Sequence, residues 1–155
     1  MDKIIEEITA KTDLAKITLT NVPDRPGVAS EIFTLLGEAG FNIETITQTS
    51  SRKNYCDVAF TIKENEIEKV LEYLLKNLQG FKITDAIIDQ NIALITIYGQ
   101  KLATTPGIAG KIFAIVAQKG VNIENISASL NMISFIINKD RCDEVIDAIK
   151  QNFQS

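Results

Sequence analysis

The 155-residue chain contains no histidine, and that absence narrows its chemistry more than any other feature of the composition. Histidine is the side chain that titrates near neutral pH unaided, and it is the commonest metal ligand. Its absence removes the usual neutral-pH general base and the usual metal cage. Asp, Glu or Lys chemistry remains open, but nothing gathers those residues in one place. Cysteine is almost as scarce. Cys56 and Cys142 make neither a disulfide framework nor a metal cluster, and each reads as a small buried or half-buried residue. No GxxxxGK[ST] or GxGxxG stretch is present to cradle a phosphate. No apolar run approaches the ~20 residues of a membrane span. The first nineteen residues hold too many charges for a signal peptide, so a cytoplasmic location is expected and a membrane partner is not. The net charge is -4, with no concentrated basic run, which argues against a nucleic-acid groove. The chain does not read as a self-contained enzyme, and no catalytic residue, metal or cofactor is assigned to it.

What the sequence does contain, it contains twice. PGVASEIFTLLGEAGFNIETI begins at Pro26 and PGIAGKIFAIVAQKGVNIENI at Pro106, and the two share 10 of 21 positions. Such a repeat implies two domains of one type. At about 75 residues each they are marginal alone, so they should lean on each other or on a second chain.

Periodicity assigns the elements. Ile4 to Thr9 is short and reads as a strand ending near Ala10. Ala15 to Val22 alternates, with Ile17 and Leu19 on one face, as a half-buried strand does. Pro26 suits the first position of a helix that places Val28, Ile32, Phe33, Leu36 and Ala39 inward. Gly40 ends it in a left-handed position. The next strands are Asn42 to Thr49 and YCDVAFTI, the latter with Cys56, Val58 and Phe60 alternating. A helix from Glu64 to Asn77 uses Ile67, Val70, Leu71, Leu74 and Leu75 and stops near Gly80, before a strand from Phe81 to Ile88. The order is strand, helix, strand, strand, helix, strand: a four-stranded antiparallel sheet with two helices on one face.

The second copy repeats this order. Ile92 to Gly99 is a strand, and Pro106 to Lys119 a helix with Ile108, Ile112, Phe113, Val116 and Ala117 inward, ended by Gly120. Strands run from Asn122 to Ser129 and from Asn131 to Asn138. Arg141 to Asn152 is a helix on Val145, Ile146 and Ile149. No strand remains after it. The unused residues 3–10 are therefore expected to supply the missing strand, although a second chain can also fill that edge. The domains become 15–89, inserted, and 1–12 plus 91–155.

Polar chemistry concentrates where the first strand of each copy meets its helix. A helix start carries unpaired N–H groups and the positive end of the dipole, which suit a carboxylate or phosphate. Gly27 and Gly107 keep a Cβ out of the way. Asp24, just before the first helix, can hold an ammonium group. A carboxylate-seeking backbone beside an ammonium-seeking acid suggests a free amino acid. The second copy has Thr104 and Thr105 there and no acid, so the copies should not bind one ligand equally well. The plainer reading treats Pro-Gly as helix architecture, Asn42 and Asn122 as turn residues and Gln48 as a solvated side chain. Tyr55 and Phe60 invite comparison with an RNA-recognition sheet, but NYCDVAFTI lacks its basic-aromatic motifs. A copper-carrying relative of the fold would want a CxxC, which the chain lacks.

AKITLTNVPDRPGVASEIFTLLGEAGFNIETITQTSS and PGIAGKIFAIVAQKGVNIENIS resemble the tandem ACT domains in the regulatory region of aspartokinase, and the resemblance covers essentially the whole chain. It implies an α+β fold of two ferredoxin-like βαββαβ ACT domains. It also implies a link to the ATP-dependent phosphorylation of the aspartate β-carboxylate, the entry to lysine, threonine and methionine synthesis. In that family the catalytic domain that uses ATP lies N-terminal to this region, so the chain is expected to be a regulatory fragment or a small regulatory subunit. Its partners would be a lysine or threonine effector, a second copy in a homodimer joined through ACT sheets, and the aspartokinase catalytic domain or subunit. Carried over by resemblance, the effector residues are Asp24, Gly27, Ala29 and Gln48 in the first domain. Asn122 and Ile123 would contribute backbone groups, with Ala109 where some members have Thr. Internal symmetry adds Asn42, Ile43 and Gly107 as a paired site. SASLNMISF and GQKLATTPG depart from the family's usual sequences in the last hairpin and before the second Pro-Gly. A free-standing tandem ACT sensor for another protein, or a ligand-free dimerisation module, stands as the alternative.

Overall fold

The structure is a computed structural model and describes residues 3–78 and 85–153. The chain divides into two compact units, Asp13–Gln90 and Met1–Thr12 with Asn91–Ser155. Each contains one four-stranded antiparallel sheet.

In the Asp13–Gln90 unit the sheet order is β3-β4-β2-β5, from β2 (Leu14–Pro23), β3 (Ile46–Arg52), β4 (Tyr55–Lys63) and β5 (Asp85–Asp89). Ile17 pairs with Phe60 and Leu19 with Val58, so the apolar residues of the alternating pattern share one face. Helices α1 (Val28–Glu38) and α2 (Ile67–Asn77) cover that face with Val28, Ile32, Leu36, Val70 and Leu74. Phe33 meets Phe60 edge to face, with ring centroids 5.7 Å apart.

In the other unit the order is β1-β6-β8-β7, from β1 (Glu7–Lys11), β6 (Ile92–Tyr98), β7 (Glu124–Ala128) and β8 (Met132–Asn138). The strand β1 takes the edge beside β6, with Ile8 opposite Ile97 and Ala10 opposite Ile95. Helices α3 (Ile108–Gln118) and α4 (Cys142–Phe153) close the core against Ile95, Ile97, Ile133, Phe135 and Ile137.

Several element limits differ from the sequence reading, each for a physical reason. The helix α1 starts at Val28, not Pro26, because Gly27 takes the N-cap position with φ 90° and Pro26 precedes it in the turn. The strand β3 starts at Ile46, not Asn42. Residues 42–45 form an irregular connection in which Ile43 packs on the core while Asn42 faces outward. In the second copy β7 starts at Glu124 for the same reason. Residues Glu64–Glu66 and Lys139–Arg141 are short 3-10 turns that lead into α2 and α4. The strand β1 begins at Glu7, with Ile4 and Ile5 packed on the core before it.

Ala39 and Ala117, expected inward, are exposed: Ala39 follows the last residue of α1, and on α3 the neighbouring Ile115 and Val116 already fill the inward positions. Leu75 is 77% exposed; Val70 and Leu74 already occupy the inward stripe. Ile115 joins the buried face of α3 in addition to the residues expected there. Gly80 and the expected strand residues 81–84 lie outside the described residues.

The glycine stops take the expected form. Gly40 has φ 86°, and the N–H of Phe41 reaches back to the Leu36 carbonyl at 3.1 Å, a Schellman arrangement. Gly120, with φ 71°, and Val121, whose N–H reaches the Val116 carbonyl, repeat it.

Candidate functional site

The end of β2 does not run straight into the helix. Its pairing with β4 shifts between Leu19 and Val22, where Asn21 adopts φ 56° and its N–H approaches the Asp57 carboxylate at 3.4 Å. Such a bulge bends a strand and re-aims the residues beyond it. Here those residues are Pro23 and Asp24. The N–H of Asp24 donates to the carbonyl of Asn54 at 2.9 Å, at the tip of the β3–β4 hairpin. Asn54 itself has φ 68°, as a tight turn requires. Two asparagines in left-handed conformations therefore bring the loop carrying Asp24 beside the hairpin carrying Gln48.

The Gln48 side chain completes the arrangement. Its Nε2 lies 3.4 Å from Asp24 Oδ1 and 3.5 Å from Cys56 Sγ. A carboxylate only accepts, so the amide must turn its NH2 toward Asp24 and its carbonyl oxygen away. Asp24 and Gln48 are exposed, whereas Cys56 is fully buried. Burial, and then the charge of Asp24, push the Cys56 thiol above its ordinary value, although the Gln48 contact pulls the other way. The thiol is neutral at physiological pH.

Beside this pair lies the start of α1. Gly27 as N-cap has no side chain with which to bond the first N–H groups of the helix. A Cβ built on Gly27 meets nothing within 4 Å, so it is the backbone angle and not crowding that calls for glycine here. Ala29 lies in the first turn, half-buried. Arg25 and Glu31 bridge the helix start through two hydrogen bonds of 2.9 and 3.3 Å. Hydrogen bonding and the charge of Glu31 raise the Arg25 pKa further. Both side chains are about half exposed, at 49% and 48%, so solvent screens the pair.

The second helix start shares the backbone and lacks the polar pair. Gly107 is the N-cap of α3 with φ 84°. Thr104, in the place of Asp24, turns its hydroxyl to the Lys101 carbonyl at 3.4 Å, and Ala128 stands where Gln48 does. Ala109 is half-buried against its own core.

The structure thus brings Asp24, Gly27, Ala29 and Gln48 together at one end of the Asp13–Gln90 unit. Asn42 and Ile43 are in the same unit, on the connection into β3. Gly107, Ala109, Asn122 and Ile123 belong to the other unit. In both copies the asparagine is exposed and the following isoleucine is half-buried, which fixes the backbone between them. Sequence reasoning did not single out Asn21, Asn54 or Asp57, which aim the loop. For the two asparagines the signal was the enrichment of asparagine at left-handed positions, and for Asp57 there was none.

Two βαββαβ units of one type, each with a glycine-capped helix start and the first with an acid and an amide beside it, define the class as a tandem ferredoxin-like α+β module. The comparisons agree in kind. ACT domain models match residues 16–78 and 95–153. An aspartokinase of Thermus thermophilus is 35% identical over 99% of this chain, and that of Pseudomonas aeruginosa 31% over 97%. The chain spans 38% and 37% of the length of those two relatives. Among solved structures, the ligand-free regulatory subunit of aspartate kinase from Thermus thermophilus superposes with a TM-score of 0.89 at 34% identity, over 98% of this chain and 100% of that one. A structure of aspartokinase α and β subunits gives 0.86 at 25% identity, over 96% and 98%. The chain belongs to the family of tandem ACT regulatory regions of aspartate kinase.

Proposed function

We propose that this chain senses a free amino acid, lysine or threonine, and transmits its presence to an aspartate kinase catalytic domain or subunit as feedback inhibition. The observation that carries the reading is the convergence of Asp24 and Gln48 at 3.4 Å beside the N-terminus of α1. A zwitterionic ligand matches that chemistry. Its carboxylate suits the helix-start N–H groups, and its ammonium suits Asp24. The outward carbonyl oxygen of Gln48 accepts a further donor, which either a hydroxyl or an amine supplies. Asn122 and Ile123 of a second copy in a homodimer provide backbone contacts to that site, and by symmetry Asn42 and Ile43 face the helix start at Gly107 of the second copy in a paired site. The chain itself needs no cofactor for this role, and ATP is used by the catalytic partner, in the cytoplasm.

Regulation of this kind requires the effector to favour one assembly over another by differential affinity. Light scattering of the full chain with and without threonine or lysine tests it. A rise in the dimer fraction with one effector supports the proposal. An oligomeric state indifferent to both refutes coupling through assembly.

A further inference from the structure

The connection from Gly40 to β3 carries Asn42 and Ile43, and it is held from below by one buried hydroxyl. Thr61 on β4 is fully buried, one of few buried polar side chains among the described residues. Its Oγ1 accepts the N–H of Thr45 at 3.0 Å and shares a hydrogen bond with the Thr45 hydroxyl at 2.9 Å. The backbone adds two more bonds. Glu44 N–H donates to the Thr61 carbonyl and Thr61 N–H to the Thr45 carbonyl, each at 3.1 Å. The strand β3 begins only at Ile46, so these four bonds extend its pairing with β4 backwards into an irregular segment.

The second copy manages the same place differently. Asn125 occupies the position of Thr45 with φ 51°, and the β7–β8 register shifts between Glu124 and Ser127. The side-chain clasp is therefore particular to the first copy.

We infer that Thr61 is a positioning residue for effector binding: its buried hydroxyl fixes Thr45 and so pre-orders the Asn42–Ile43 backbone. This rests on the sensor reading, in which that backbone contacts the effector in the paired site at the Gly107 helix start. A segment ordered beforehand spares the ligand the entropy of ordering it. Thr61→Val keeps shape and volume but removes the acceptor, leaving the Thr45 N–H and hydroxyl without their partner. Thr61→Ser keeps the acceptor.

The test titrates threonine and lysine separately into the full wild-type chain, Thr61→Val, Thr61→Ser and Thr45→Val, with amide exchange monitored over residues 42–45. Thr61→Val is expected to weaken binding of the effector about tenfold and to speed exchange at Glu44 and Thr45, while Thr61→Ser stays within about twofold of wild type. Rescue by serine separates the hydroxyl from packing. Thr45→Val removes the side-chain half of the same clasp from a less buried position and should also weaken binding should Thr61→Val fold poorly. Unchanged affinity in folded Thr61→Val or Thr45→Val overturns the inference, as does Thr61→Ser binding as weakly as Thr61→Val. A wild-type chain that binds neither amino acid overturns the sensor reading, and this inference with it, which is a distinct result.

Discussion

Gly99 has an ordinary backbone angle, yet it is the glycine least able to accept a side chain. A Cβ there falls inside the van der Waals shell of the Ile4 carbonyl oxygen, 3.2 Å from the Ile4 carbonyl carbon and 3.3 Å from Leu102 Cγ. The first obstacle is backbone and cannot rotate away, so Gly99→Ala must push the Ile4 segment off β6. Two hydrogen bonds are at stake: Glu6 N–H to the Tyr98 carbonyl at 2.8 Å, and Gln100 N–H to Glu6 Oε2 at 2.9 Å. At about 0.5–1.5 kcal/mol each, plus about 1 kcal/mol for partial loss of Ile4 packing, the cost is about 2–4 kcal/mol. For a chain of this size that lowers Tm by about 5–15 °C. Urea unfolding of Gly99→Ala beside Gly110→Ala measures it. Gly110 lies inside α3 with nothing within 4 Å of an added Cβ, so alanine there should stabilise by up to about 1 kcal/mol through helix propensity. Gly99→Ala within about 0.5 kcal/mol of wild type would refute the reasoning, because no packed segment would then lie over that glycine.

The same geometry sets other expectations. Gly27→Ala meets open space but forces alanine to φ 90°, and should cost about 1–2 kcal/mol in thermal unfolding without steric damage. Both thiols are raised above their ordinary value, Cys56 by burial and then Asp24, Cys142 by burial and then Asp143. The folded state thus holds these protons more tightly than the unfolded state. Their contribution to stability is complete below the unfolded thiol pKa and is lost as pH rises above roughly 8.5. Denaturation curves between pH 7 and 10, and slow iodoacetamide labelling of the native chain, check it. Arg141 donates from Nη2 to the Lys119 carbonyl at the end of α3, at 2.7 Å, and pairs with Glu144. Arg141→Ala should cost about 0.5–1.5 kcal/mol in the same unfolding assay.

The repeat, its helices and its strand alternation were legible because burial follows period. Val28, Ile32 and Leu36, or Cys56, Val58 and Phe60, face one core and recur at three- to four-residue or two-residue spacing. Failures came where period does not govern. Leu75 and Ala117 sit on helical positions that a neighbour already fills, and residues 42–45 look strand-like while serving as a connection. Asp24 and Gln48 were legible as residues, but their meeting depends on the β2 bulge and the hairpin turn at Asn54, neither of which hydrophobic pattern encodes. The Thr45–Thr61 clasp was invisible for the same reason, since two threonines sixteen residues apart become neighbours only once strand register is known.

The central claim, an amino-acid effector held by Asp24, is tested most directly by calorimetric titration of the full chain with threonine and with lysine, wild type beside Asp24→Ala. Saturable binding of one of them by wild type, lost or weakened at least about tenfold in a folded Asp24→Ala chain, is the predicted result. Equal binding by both proteins, or none by the folded wild-type chain at millimolar ligand, would contradict it.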